Sequence, residues 1–306
     1  MRHNHTTQII PEKILDALKS YLLAISSSNQ CKPHTIEVYK HCIDKFVVFL
    51  KTNGIHLMEE ITTDDFRLFF SELQNDHNEG GVHHYFRAIK AFVRWYWDEY
   101  ELETRNPIDK VKVKPPRVKP RPGIPIEHLE KMIGACKTEN RLRDKAMLLC
   151  LLDSAARATE FCDLRLSDVD LATGRVFIKA GKGDKSRHVR FGDRALRSLR
   201  KYLKTREYLN ANSALFVTDE GDKFNRFSLR LLTYRRAENA GVPHPGLHDF
   251  RRRCAYEMLK KGVSTKMISE YLGHSSVVVT ERYLEVKDDD LMEAHRLASP
   301  SDFLKI

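Results

Sequence analysis

Near its C-terminal end the chain reads GLHDFRRRCAYEMLKKGVSTKMISEYLGHSSVVVTERYLEV, a run rich in side chains that can act on a phosphate ester. His248 and Arg251 are three residues apart, about one helical turn, so a helix puts them on one face. Phe250, Cys254 and Met258 recur every four residues and can bury the other side. His274 follows Gly273, and Tyr283 comes nine residues later. A tyrosine oxygen can attack phosphorus once its proton is removed, against an ordinary pKa of about 10. Nearby cations lower that cost, and a histidine can take the proton or hydrogen-bond the phosphate. Arginine offers a planar fork that grips two phosphate oxygens and stabilises the charge that develops. Two arginines can thus do, without a metal, what Mg²⁺ does in many nucleases. A lysine on a mobile hairpin tip could protonate the departing 5′ oxygen.

The elements that must position these residues are mostly helical. Gly262 can end the helix carrying His248 and Arg251, and Ser264 can cap the next. Ile268 and Leu272 are the apolar positions of that second helix. Gly273 breaks it and leaves His274 at its boundary. Ser275 or Ser276 can cap a third helix bearing Tyr283. Upstream, 126–137 and 142–154 are apolar at helical spacing. Arg175–Ala180 and Arg187–Phe191 have strand character. The GKGDKS between them is turn chemistry, which predicts an antiparallel hairpin with Lys182 near its tip. Helical patterns fill most of 193–297.

The first half predicts a bundle of about four helices, at 11–26, between Pro33 and Gly54, at 63–76 and from Gly81 onward. Thr62 or Thr63 can cap the third. Tyr and Trp near the fourth helix could stack on bases, but their spacing assigns them to the core. Residues 110–122, KVKVKPPRVKPRP, hold six Lys or Arg, four Pro and no acid. Proline at that density opposes helix and favours extended chain. The segment reads as an interdomain linker whose one-sided charge suits a strap along phosphates.

Composition limits the classes open to the chain. Its 306 residues favour two domains. Lys and Arg exceed Asp and Glu, 52 to 42, for a formal charge of +10, which favours a polyanionic partner, nucleic acid before membrane. No apolar run of about 18 residues can span a bilayer, and no apolar signal segment opens the sequence. A cytoplasmic protein is expected, nucleoid-associated in a prokaryote. The six cysteines form no C-x-x-C pair, which predicts buried thiols and neither zinc site nor disulfides. There is no GxxxxGK[ST], no GxGxxG after a strand and no HExxH.

Taken together, these boxes resemble the tyrosine recombinase (phage integrase) family, in its simple two-domain, Xer-like form. H-x-x-R stands as HDFR, LGH as Leu272–Gly273–His274, and the nucleophile lies in TERY. The family's T-G-x-R-x-x-E-L stands as SAARATEF, placing Arg157 and Glu160, and its GKGxKxR as GKGDKSR, placing Lys182. All five occur in the family's order and spacing, and the likeness covers essentially the whole chain. One departure stands out: Ser154-Ala155 replaces the family's Thr-Gly, at a place where glycine serves a close contact or an unusual turn.

The resemblance implies a mainly α fold with a small antiparallel sheet in the catalytic domain, closing as a C-shaped clamp on DNA. The implied organisation is a helical SAM-like core-binding domain at 11–105, a basic linker at 106–125, a catalytic domain at 126–298 and a tail at 299–306. Arg157, Lys182, His248, Arg251, His274 and Tyr283 are the implied catalytic set, with Glu160 orienting an arginine. Candidate DNA contacts are Lys112, Lys114, Arg117, Lys119 and Arg121 of the linker, with Lys185, Arg187 and Arg252. No cofactor is implied. The implied partner is double-stranded DNA bearing specific recombination sites, bound by a homotetramer. An amphipathic stretch, Leu291–Leu297, is suited to docking on a neighbouring protomer.

Each residue alone has a plainer reading. Arg157 could be a surface ion-pair partner of Glu160, and Lys182 or Lys185 a solvated turn lysine. His248 could cap a helix, His274 could sit at a helix C-terminus favoured by the dipole, and Tyr283 could be a core ring. A type IB topoisomerase shares the Arg, Lys, Arg, His and Tyr logic. A catalytically silent DNA-binding regulator would fit the Ser154-Ala155 departure. An RNA-binding basic protein ranks last, having no stacking motif.

Overall fold

The computed structural model describes residues 14–28, 31, 33–116, 123–136, 141–179, 186–207, 209–273, 292, 295, 296 and 299. The chain divides into two units, Met1–Arg117 and Val118–Ile306, each with its own core.

The first unit is built from α1 (Ile14–Ser27), α2 (Pro33–Thr52), α3 (Thr63–Asp76) and α4 (Glu79–Glu99). The apolar periodicity that predicts α2 and α4 is the side they bury: Cys42, Ile43, Phe46, Val47 and Leu50 from α2, and Val82, Ile89, Phe92, Val93 and Tyr96 from α4. Thr62 starts α3 as a capping box, its hydroxyl accepting from Asp65 N at 3.3 Å while the Asp65 carboxylate accepts from Thr62 N at 2.8 Å. Phe46 lies between Phe66 and Phe69, with ring centroids 5.2 and 5.0 Å away. The aromatic residues of α4 are core: Tyr96 is buried and its hydroxyl donates to Glu59, and Trp97 Nε1 donates to the Thr104 carbonyl. Of the segment expected as linker, Ile108 and Val111 are buried in this first core, on and just after the 3-10 turn Pro107–Lys110, while Ile124 is buried in the second.

The second unit holds α5 (Ile126–Gly134), α6 (Leu142–Ser154), α7 (Ala158–Asp163), β1 (Arg175–Ile178), β2 (Arg187–Arg190), α8 (Asp193–Leu203), α9 (Arg226–Asn239), α10 (Leu247–Lys260) and α11 (Thr265–Leu272). Helix α6 is buried nearly all round, from Ala146 to Leu151, as befits a central helix, and packs on α8 and α10. The strands pair antiparallel, Arg175 opposite Arg190 and Ile178 opposite Arg187, with Val176, Ile178, Arg187 and Val189 facing inward. A smaller cluster, Ala155, Ala255, Ile268 and Leu272, joins α10 and α11 to the end of α6. Between α8 and α9 the described residues carry no helix, against the pattern expected for 193–297. Asn210, Ser213 and Asp222 tie this stretch into turns, Asn210 Oδ1 accepting from Asn212 N at 2.9 Å.

Of the cysteines, Cys42, Cys136, Cys150 and Cys162 are buried and Cys31 and Cys254 partly so, all as free thiols. Among the described residues no helix is long and apolar enough to cross a membrane, and no cluster of His, Cys, Asp or Glu is arranged to hold a metal.

Candidate active site

The end of α6, the starts of α7 and α10 and the end of α11 meet around Arg157, Glu160, His248 and Arg251. At the end of α6, Ala155 adopts φ +47° and ψ +24°. This is the left-handed turn that the sequence departure put in question. Alanine adopts it at a cost of about 1 kcal/mol, roughly what burying its methyl group contributes; Ala155 is fully buried in the smaller cluster. The turn sends the chain into α7 with Arg157 as its N-cap residue.

Glu160, on the first turn of α7, is the hub. Its carboxylate accepts from Arg157 N and Arg157 Nη1, both at 2.8 Å, and from Arg187 Nη2 at 2.8 Å and Nη1 at 3.3 Å. Burial by itself would raise its pKa, but the Arg187 and Arg157 hydrogen bonds and charges together outweigh it and lower the value to about 2. Glu160 is therefore a fixed anion that aims Arg157.

Arg187 corrects an expectation. It was a candidate phosphate contact, yet it is buried, ion-paired to Glu160, and donates from Nε to the Tyr271 carbonyl at 2.9 Å. Its charge is matched by the Glu160 carboxylate and its donors are turned inward, so it fastens α7 to α11 instead of meeting a DNA backbone. The signal was present in the sequence, because Arg187 is two residues from Val189 and so shares the inward side of β2 with it. Gly273 closes the same corner. It ends α11 at φ +70°, and a Cβ there would come within 3.0 Å of Arg187 Cδ and Nη1. The glycine of the LGH box thus holds a left-handed cap against a buried guanidinium, immediately before His274.

Arg251, on α10, is 1% exposed. Its Nη1 donates to the Ala155 carbonyl and its Nη2 to the Leu272 carbonyl, both at 2.7 Å. It pins the last turn of α6 to the last turn of α11 and holds a buried positive charge under the site. His248, one turn earlier on α10, opens onto a cleft of about 700 Å³ lined also by Arg157, Arg226, Arg230, Tyr234 and His244. Desolvation by its surroundings, then the charges of Arg251 and Arg252, push the His248 pKa down to about 4. Its ring is neutral at pH 7 and able to accept a proton.

The arginines after Arg251 diverge. Arg252 Nη1 donates to Asp249 at 3.1 Å, while Arg253 is buried and donates from Nε to the Ile124 carbonyl at 2.6 Å. Tyr271 donates its hydroxyl to the Asp153 carbonyl at 2.8 Å, a second tie between α6 and α11 that no motif in the sequence marks. Lys112 and Lys114 are exposed beside a cleft of about 900 Å³ in the first unit, shared with Arg67, His77 and Lys110. The expected roles of Lys182, Lys185, His274, Tyr283, Arg117, Lys119 and Arg121 lie outside the described residues.

Comparison with known proteins bears on the whole chain. The family model described as "Phage integrase family" matches residues 124–290, and "Phage integrase, N-terminal SAM-like domain" matches residues 15–104. The tyrosine recombinase XerC of Pelobacter propionicus is 28% identical over 298 residues, covering 94% of this chain and 97% of its own. Among solved structures, the XerH site-specific recombinase bound to palindromic difH substrate, a post-cleavage complex, shares the fold with a TM-score of 0.71 at 20% identity. It covers 92% of this chain and 84% of its own. A lambda integrase tetramer bound to a Holliday junction gives 0.69 at 17% identity, covering 89% and 77%. With each unit matched by its own family model and a relative aligned along nearly its full length, the chain belongs to the phage integrase family, the tyrosine-type site-specific recombinases.

Proposed function

We propose that the protein cuts and rejoins duplex DNA at specific recombination sites through a covalent 3′-phosphotyrosine formed by Tyr283. The phenolic oxygen bonds to the scissile phosphorus as the bond to the 5′ oxygen breaks. His248 manages the phenolic proton, and Lys182 delivers a proton to the leaving oxygen. Arg157, Arg251 and His274 bind the phosphate. The 5′ hydroxyl of a partner strand then attacks the phosphotyrosine and releases Tyr283, so strands exchange through a Holliday junction. The phosphotyrosine conserves the energy of the broken bond, so no nucleotide is consumed. The observation that carries this reading is Glu160 fixing Arg157 beside a neutral His248, over a buried Arg251.

In the same reading the two units correspond to a core-binding domain at 11–105 and a catalytic domain at 126–298, joined by the basic segment. Four protomers assemble on two sites, and the tail beginning near Asp288 docks between them. The protein works in the cytoplasm, on the nucleoid in a prokaryotic cell. The test is a nicked duplex carrying a site recovered from the source genome, with denatured products scored for a covalent protein–DNA band. Wild type gives the band in the presence of a metal chelator, and Tyr283→Phe gives none while still binding. A strict Mg²⁺ requirement, or specific binding with no adduct from wild type, would sink the mechanism. Relaxation of a supercoiled plasmid lacking any site would favour a topoisomerase instead.

A further inference from the structure

Phe227 is 75% exposed, the most exposed Phe, Tyr or Trp among the described residues. It lies in the first turn of α9, just after the Asn225 cap, whose Oδ1 accepts from Ser228 N at 2.9 Å. Its neighbours on the helix are Arg226 and Arg230. Both are exposed, neither has a carboxylate partner among the described residues, and both line the cleft that holds Arg157 and His248. Arg226, Arg230 and Tyr234 recur every four residues and form one wall of that cleft, about 12 Å long at 1.5 Å per residue. Phe227 stands about 100° further round the helix, beside that wall. The major groove of DNA is itself about 12 Å wide.

A phosphate held at Arg157 brings the rest of the duplex against this end of α9. Arg226 and Arg230, with the positive end of the helix dipole, suit the flanking phosphates. Phe227 can make no hydrogen bond and gains only by leaving water. In the major groove the apolar feature that meets it is the C5-methyl of thymine. We propose, resting on the recombinase reading above, that Phe227 is a specificity-determining residue that reads a thymine methyl beside the cleavage position. Arg226 and Arg230 set its depth by holding phosphates along the adjoining wall.

The experiment selects binding sites from a randomised duplex library with the full-length wild type, Phe227→Ala and Phe227→Leu. Each thymine of the wild-type site is then replaced by deoxyuridine, which lacks only the methyl. One thymine position should dominate the wild-type selection, become degenerate with alanine and be partly kept with leucine. Deoxyuridine there should weaken wild-type binding about fourfold, the worth of one buried methyl group, and leave Phe227→Ala unaffected. Selection of the same thymine by Phe227→Ala would overturn the assignment, as would an equal loss on every sequence. The Tyr283 adduct is scored in parallel on wild type: an adduct with an unchanged thymine preference removes only the role of Phe227. A methyl effect without an adduct removes the mechanism and keeps the reader.

Discussion

Glu160 shows how one buried carboxylate can organise the corner where α7, β2 and α11 meet. It takes bonds from the backbone and side chain of Arg157 and from both Nη atoms of Arg187. Glu160→Gln keeps the shape but leaves Arg187 buried without its counter-charge. The expected cost is about 3 kcal/mol by urea unfolding, and a loss under 1 kcal/mol would show the pair to be expendable. The folded pKa lies below the unfolded one, so this carboxylate stabilises fully above about 4.5 and loses its contribution as pH falls toward 2. His248 titrates in the opposite sense of charge. Its folded value of about 4 lies below the ordinary histidine value of 6.5, so the folded ring stays neutral as the unfolded one protonates. NMR of the DNA-free protein should place its midpoint near 4, and a midpoint near 6.5 would show that its surroundings and the Arg251 and Arg252 charges do not control it. That Arg157, Glu160, His248 and Arg251 come together was legible because their types and spacing follow one pattern. Arg187 was misread because hairpin charge suggests solvent, while the strand's alternation turns this position inward.

Among the elements, α2 and α4 were legible because their apolar residues recur on one face, and that face is what the fold buries. The 204–225 region was not, since its leucines and phenylalanines are apolar enough for a helix while its Asn, Asp and Ser close turns instead. Ala155 was legible as a departure but not in its consequence, because only the backbone reveals that alanine accepts the left-handed turn. Gly123 ranks with these. It takes φ +83°, and a Cβ there would run into the Asp249 carbonyl and the Arg253 amide. Ile124 N then donates to the Asp249 carbonyl, and Arg253 returns a bond to the Ile124 carbonyl. The incoming chain is thus clipped to α10, the helix of His248 and Arg251. Gly123→Ala should cost about 2 kcal/mol or more and lower covalent adduct formation along with stability. Unchanged melting would show that the close approach relaxes freely.

At the scale of the molecule, the two cores share no member. Each is large enough to unfold cooperatively by itself. Calorimetry should therefore give an enthalpy larger than the van't Hoff value, resolved into two transitions, and agreement of the two enthalpies would mean the units melt as one. The division was legible from length and from the run of prolines and cations. Its edges were not, because Ile108 and Val111 look like linker residues until a core is found to receive them.

Arg251 also bears on descent. It is held by two carbonyls from distant parts of the chain, so selection for a folded protein retains it whether or not DNA is ever cut. A lineage that abandoned strand cleavage would drift first at positions kept by chemistry alone, and Arg251 would be among the last of the set to change. Its presence in a relative therefore records ancestry more faithfully than occupation.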